Sequence, residues 1–147
     1  MAHHSIIHGY IKGPSWKTKD YYKLHQLNAK TLEELPNLDR NYPWINQSMF
    51  NVPNEQGVFR DQVITFGASY KTLEYEWPLW LEKFEAVLRK LYWLNVNIHA
   101  EFEIMGSYNY YWSLSNEEKS RCLFDEPTPI KNWLFESTGP RSFEEML

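Results

Sequence analysis

The sequence of 147 residues predicts an α+β fold: a single sheet of about four strands, two main helices on one face of it, and a short C-terminal helical tail. Three stretches predict this. Over residues 96–104 apolar and polar side chains alternate without a break, the period-two pattern of a strand with one buried and one open face. After Pro78, residues Trp80, Leu81, Phe84, Val87, Leu88, Leu91 and Tyr92 recur at three- and four-residue spacing, which marks one buried helical stripe. Residues 5–11 are β-branched and bounded by Gly13-Pro14, as a first strand would be. The order of strands and helices suggests a ferredoxin-like or related split arrangement, and the length suggests one domain, 1–147.

The remaining elements follow in chain order. A helix is expected over residues 19–30, with Tyr21, Leu24, Leu27 and Asn28 on one side, and Thr31–Glu34 reads as a capping box that opens a further short turn. Residues 36–60 carry many Asn, Pro and Gly, yet also Tyr42, Trp44, Ile45, Met49, Phe50 and Val52. They read as a long ordered loop pinned to the core by those large side chains. Residues 62–70 form a second strand, in which Gly67 suggests a bulge or a close backbone approach. On the helix that begins at Pro78, Glu85 and Arg89 sit four apart on the wet side. Gly106-Ser107 is expected to turn the 96–104 strand back into a return strand, 108–114. Residues 115–147 read as a helical or irregular tail: a capping box at Ser115–Glu118 opens a helix to about Leu123, residues 130–136 form a last helical turn, and Ser142–Glu145 caps the end.

The composition narrows the function classes. There is no apolar run of about 18 residues to span a membrane, and the first residues lack the layout of a secretory signal. Cys122 is the only cysteine, so a disulfide framework and a thiolate metal cluster are excluded within the chain. A reducing, cytoplasmic location is expected, with Cys122 as a small buried hydrophobe. Net charge is −4, and it is unevenly spread. Residues 1–73 hold 8 Lys/Arg against 6 Asp/Glu, and residues 74–147 hold 7 against 13. That balance argues against direct nucleic-acid binding and favours a basic protein partner. The 25 aromatic residues (7 Trp, 10 Tyr, 8 Phe) exceed what one small core requires, so some are expected on a binding surface.

Candidate functional residues lie in two groups. His99, Glu101 and Glu103 share one face of their strand, with neighbours about 6.6–6.8 Å apart along it; His8 and Tyr10 share a face of the first strand. Side chains two apart on one strand do not converge on a metal unless another element supplies a ligand. The second group, residues 73–77, mixes Glu74 and Glu76 with Tyr75 and Trp77 just outside a helix start. Acids there complement the helix dipole and suit a basic partner. Tyr75, Tyr110 and Trp112 are the expected anchors. No Gly-x-Ser-x-Gly elbow, phosphate loop, dinucleotide fingerprint or His-Glu-x-x-His motif occurs, so no catalytic residue, cofactor or metal is assigned.

At residues 6–11 (Ile-Ile-His-Gly-Tyr-Ile), 66–70 (Phe-Gly-Ala-Ser-Tyr), 77–84 (Trp-Pro-Leu-Trp-Leu-Glu-Lys-Phe) and 106–112 (Gly-Ser-Tyr-Asn-Tyr-Tyr-Trp), the chain resembles small cytoplasmic bacterial immunity proteins, which are encoded beside polymorphic or contact-dependent toxins and neutralise them by direct binding. The resemblance lies in size, acidity, aromatic richness and element order. It implies a non-enzymatic inhibitor of a cognate toxin, such as a nuclease. The alternatives are a small enzyme or ligand-binding protein with His8, His99, Glu101 and Glu103 around a pocket roofed by 36–60, and a self-associating structural or phage-derived subunit.

Overall fold

The structure, a computed structural model, describes residues 4–15, 20–36, 39–53, 61–119 and 128–146. They build an α+β fold around one six-stranded sheet: β1 (His4–Ser15), β2 (Phe50–Asn51), β3 (Asp61–Lys71), β4 (Asn95–Phe102), β5 (Gly106–Ser113) and β6 (Leu134–Ser137), in the order β2-β3-β1-β4-β5-β6. Every neighbouring pair is antiparallel. Since β3 and β4 both run against β1, they run parallel to each other with β1 between them. The helix α2 (Trp77–Leu88) links them in a split crossover, and the other long helix, α1 (Tyr21–Glu33), follows β1. The hairpin β4–β5 comes after both helices, not between them. Among the described residues no helix is long and apolar enough to cross a membrane.

Six strands replace the expected four because tertiary pairing recruits two short edge segments. Phe50–Asn51, in the long loop, pairs with β3. Leu134–Ser137 pairs with β5, so residues 130–136 do not form the expected helical turn. The chain leading into β6 is anchored where the Ile130 amide donates to the Leu91 carbonyl at 3.0 Å. Residues 116–119 are helical, and Ser115 Oγ accepts the Glu118 amide at 3.3 Å, one half of the expected capping box. The extension to Leu123 and Cys122 lie outside the described residues. Near the end, Ser142 Oγ accepts the Glu144 amide at 3.2 Å.

β1 extends past Gly13-Pro14, and the register shift between Lys12 and Ser15 absorbs the proline, as bulges do. Its inward side chains are Ile7 and Ile11, both fully buried, with Gly9 between them. A β-carbon at Gly9 would lie 2.0 Å from the Asn97 carbonyl oxygen, so glycine is what lets β1 and β4 meet there. Gly67, the position singled out from sequence, pairs with His8 in unbroken register, and a β-carbon there would make ordinary contact at 3.6 Å. The close approach is at Gly9, not Gly67, and the irregularity is near Gly13.

The core lies between one sheet face and α2. Pro78 sits in the helix's first turn, where its missing N–H costs nothing. Trp77 stacks on Trp80, with ring centroids 5.1 Å apart, and Trp80 on Phe84 at 5.0 Å. This column meets Phe66, Phe102, Tyr110 and Trp112 of the sheet. The helix stops at Leu88, short of Tyr92, because the Trp93 indole donates to the Leu88 carbonyl at 3.0 Å and satisfies an end carbonyl. Leu91 and Trp93 are buried beyond it.

Three polar clasps hold the outer elements. Buried Asn28 of α1 donates to Gln62 Oε1 (3.0 Å) and the Tyr92 carbonyl (2.8 Å) and accepts the Tyr92 amide (2.8 Å). Thr31–Glu33 simply continue α1. Lys83 Nζ donates to Asp39 (2.6 Å) and to the carbonyls of Asn41 (2.7 Å) and Pro43 (2.8 Å), which ties the 39–53 stretch to the helix side. Burial works to raise the Asp39 pKa, but Lys83 and the amides of Asn41 and Ile45 outweigh it and hold the carboxyl below its ordinary value. The third clasp corrects an expectation: Glu85 is buried and does not face solvent beside Arg89. It accepts the Trp112 indole N–H at 2.9 Å and pairs with Arg141, while Arg89 lies over the Trp133 ring at 4.9 Å.

Three stability measurements check these contacts. Gly9→Ala should cost about 3 kcal/mol in urea unfolding, the upper range for overpacking against rigid neighbours, whereas Gly67→Ala should lie within about 0.5 kcal/mol of the parent. Arg141→Ala strands the Glu85 carboxylate and should cost about 2 kcal/mol, with Arg141→Lys restoring only part because the forked contact is lost. Burial pushes the Tyr70 and Tyr110 hydroxyls up to about 12 from an ordinary 10.0. The unfolded chain therefore sheds these protons first, so their stabilising effect is whole below pH 10 and falls as pH rises towards 12. Tyr110→Phe should start lower at neutral pH, because Trp77 Nε1 loses its acceptor at 3.0 Å, and should decline less across that alkaline window.

Candidate functional site

The sheet face opposite α2 is open. It carries His8 and Tyr10 from β1, Val63, Thr65, Gly67 and Ser69 from β3, Asn97, His99 and Glu101 from β4, and Asn109 and Tyr111 from β5. Ile6, Tyr10, Val63 and Leu134 are exposed on it. Register places His8 beside both Gly67 and His99, and His99 beside Asn109. The His8 and His99 ring centroids are 5.2 Å apart. His99 Nε2 stands 3.4 Å from Glu101 Oε1, and its Nδ1 stands 2.9 Å from Asn109 Oδ1. One donor atom each from His8, His99 and Glu101 can be chosen so that all three lie within 4.8 Å of one another. Two strands therefore supply what one alone does not, since β1 brings His8 to the β4 row.

A second cluster forms at one end of the sheet. The Leu73–Glu76 segment, a single 3-10 turn, abuts the turn between β4 and β5 through Glu74. That carboxylate is fully buried; its Oε1 accepts Ser5 Oγ–H at 3.2 Å and the Ile104 amide at 3.5 Å. Tyr75 is 60% exposed and Ile104 48%. Glu76 is half-buried, and exposed Glu103 accepts the His4 amide. Tyr42 meets Trp44 edge-on at 4.9 Å, and Trp44 is 43% exposed. Burial raises the Tyr42 pKa, with Glu74 and then Glu76 adding to it, so this aromatic pair lies within electrostatic reach of the acids.

The structure thus joins, through Glu74, the segments that carry Tyr75, Glu76 and Glu103 at the sheet end, and it brings His99 and Glu101 together on the open face. Glu74 serves as a buried strut. Tyr110 and Trp112 are not surface anchors: both are 0% exposed and face α2. A two-residue turn at Gly106-Ser107 would pair Glu103 with Tyr110 and Glu101 with Trp112 on the open face. The turn instead occupies residues 103–105, and Gly106, at φ 92°, opens β5 opposite Phe102. That register sets Tyr110 beside Ile98 and Trp112 beside Val96, five residues from the expected pairing, and any odd shift exchanges the faces. Tyr111, opposite Asn97, is the ring that reaches the open side. Trp44, expected to help pin its loop to the core, is instead 43% exposed; the loop that carries it has no period to assign a face.

Residues 39–53 do not roof the His99 cluster; they pack on the helix side, where Tyr70 Oη donates to the Trp44 carbonyl at 2.6 Å. Two open clefts of about 190 and 180 Å³ lie at the β3 edge, where Gly67 next to His8 is part of the lining, and beside α1; neither is lined by His8, His99 or Glu101. The chain matches no protein-family model, no curated protein and no solved structure.

Proposed function

We propose that the protein is an immunity-type inhibitor that binds a basic bacterial toxin domain in the cytoplasm and blocks it by occlusion, with no chemistry of its own. The observation that carries this reading is the meeting of Leu73–Glu76 with the 103–105 turn through Glu74. The two segments so joined carry Glu76 next to exposed Tyr75 and Glu103 next to exposed Ile104 along the chain. Acid beside a half-desolvated ring is the surface a basic partner recognises: the charges steer the encounter, and the ring supplies contact area that slows dissociation. Residues 74–147 carry the whole excess of negative charge, which extends that field beyond the patch. A nuclease surface shaped for phosphate is the complementary partner. The alternative reading, a ligand-binding protein or small enzyme on the polar sheet face, has the His8–His99–Glu101 grouping in its favour.

The test is co-expression with the product of the reading frame adjacent to this chain's own, which the proposal expects to be a toxin, followed by binding kinetics with the purified pair. Wild type should restore growth. Glu76→Lys with Glu103→Lys should slow association at least about tenfold at low salt and flatten its salt dependence. Tyr75→Ala should weaken binding about 30-fold, mostly through faster dissociation. Failure to protect, or association rates indifferent to both charge reversals, overturns the proposal.

A further inference from the structure

The open sheet face carries a second, independent feature. We propose that His8, His99 and Glu101 form a Zn²⁺ site, with Asn109 positioning His99 for it. The argument starts from the hydrogen bond at the far side of the ring. Asn109 Oδ1 lies 2.9 Å from His99 Nδ1. A carboxamide oxygen only accepts, so a neutral ring bonded in this way carries its proton on Nδ1 and turns its Nε2 lone pair away from Asn109. That lone pair faces Glu101 Oε1 at 3.4 Å. A metal ion can bridge these two atoms, as can a proton on Nε2.

The spacing suits a metal. Zn–N and Zn–O bonds of about 2.0–2.1 Å in a tetrahedron put neighbouring donor atoms about 3.3–3.4 Å apart, and the His99–Glu101 separation is 3.4 Å. His8 supplies the third donor from the neighbouring strand, with the three atoms within 4.8 Å of one another; rotation of an exposed imidazole closes the remaining gap. Gly67, paired with His8 on its other side, has no side chain to cover it. Two imidazoles and a carboxylate form a donor set that Zn²⁺ takes with a fourth position left to water. The Asn109–His99 contact is the outer hydrogen bond that metal-bound histidines characteristically make.

Zinc titration by calorimetry, with Co²⁺ absorption as a second readout, tests this on the full chain. His3→Ala and His4→Ala are introduced first, to remove histidines near the N-terminus. That background should bind one Zn²⁺ per chain, and Co²⁺ should show the intense visible bands of four-coordination. His8→Ala and His99→Ala should each weaken binding more than about 100-fold. Asn109→Ala should weaken it about 10–100-fold, while Asn109→Asp, which keeps the acceptor, should bind at least as well as the parent. All these side chains stand on the open face, so circular dichroism of the metal-free variants should be unchanged. If binding vanishes with His3 and His4, or survives in His8→Ala or His99→Ala, the site is not there. A protein that binds no zinc overturns the proposal.

Discussion

Strand β1 lies between β3 and β4 with backbone ladders on both sides, and both faces of the molecule depend on that placement. On the inner side it leaves Ile7 and Ile11 under the helix layer, and on the outer side it sets His8 beside His99. The placement has a steric condition. The Asn97 carbonyl approaches Gly9 to within 2.0 Å of where a β-carbon would stand, so a side chain there would force the two strands apart. Loss of that contact would disturb the β4 register, and with it every cross-strand pairing on the open face, since register is shared along a ladder.

Much of this architecture is legible in the sequence, and what is not has physical causes. Residues 96–102 alternate so strictly that only one face can be buried, and the structure buries it. The α2 stripe is equally plain, yet its width is not. Glu85 lies on the edge of the stripe and becomes buried because Arg141, 56 residues later, arrives to pair with it; no local pattern encodes such a partner. The β5 segment is ambiguous for another reason. Tyr108, Tyr110, Tyr111 and Trp112 put aromatic rings on both faces, so the alternation has no apolar phase, and only the turn length decides which rings point inward. β6 is only four residues, Leu-Phe-Glu-Ser, a length at which strand and helix cannot be told apart, and the free edge of β5 decides for strand. His99 and Glu101 are readable as a row, but the pairing that adds His8 and Asn109 is a property of strand order.

The aromatic surplus resolves mostly into the core. Trp77, Trp80, Trp93 and Trp112 are buried together with Phe84, Phe143 and Tyr110, and the stacked column along α2 accounts for the largest of them. A core built of indoles needs partners for its N–H groups, and three of the four buried indoles have one: Tyr110 Oη, the Leu88 carbonyl and Glu85. Trp80 Nε1 makes no hydrogen bond of normal geometry among the described residues. The polar atoms drawn inward by these indoles explain why a charged residue and a tyrosine hydroxyl sit where an aliphatic side chain would otherwise pack. The functional argument consequently rests on few exposed rings, above all Tyr75 and Trp44, and not on aromatic content as such.

The two proposals share one strand, and that sharing constrains them. Glu101 lies on β4 and Glu103 in the turn just past its end, and two residues along a chain span at most about 7 Å, less than the screening length of about 8 Å at physiological ionic strength. A dication held by His8, His99 and Glu101 would cancel the Glu101 charge and leave a positive excess beside the acidic end, weakening its field for a basic partner. Zinc and a basic protein would then oppose each other, each reducing the affinity of the chain for the other to the same degree, as linkage requires. The opposition disappears only if the partner itself completes the zinc coordination through the open fourth position, in which case binding of each strengthens the other. The sign of that coupling therefore tells whether the metal cluster lies inside the partner's footprint or beside it.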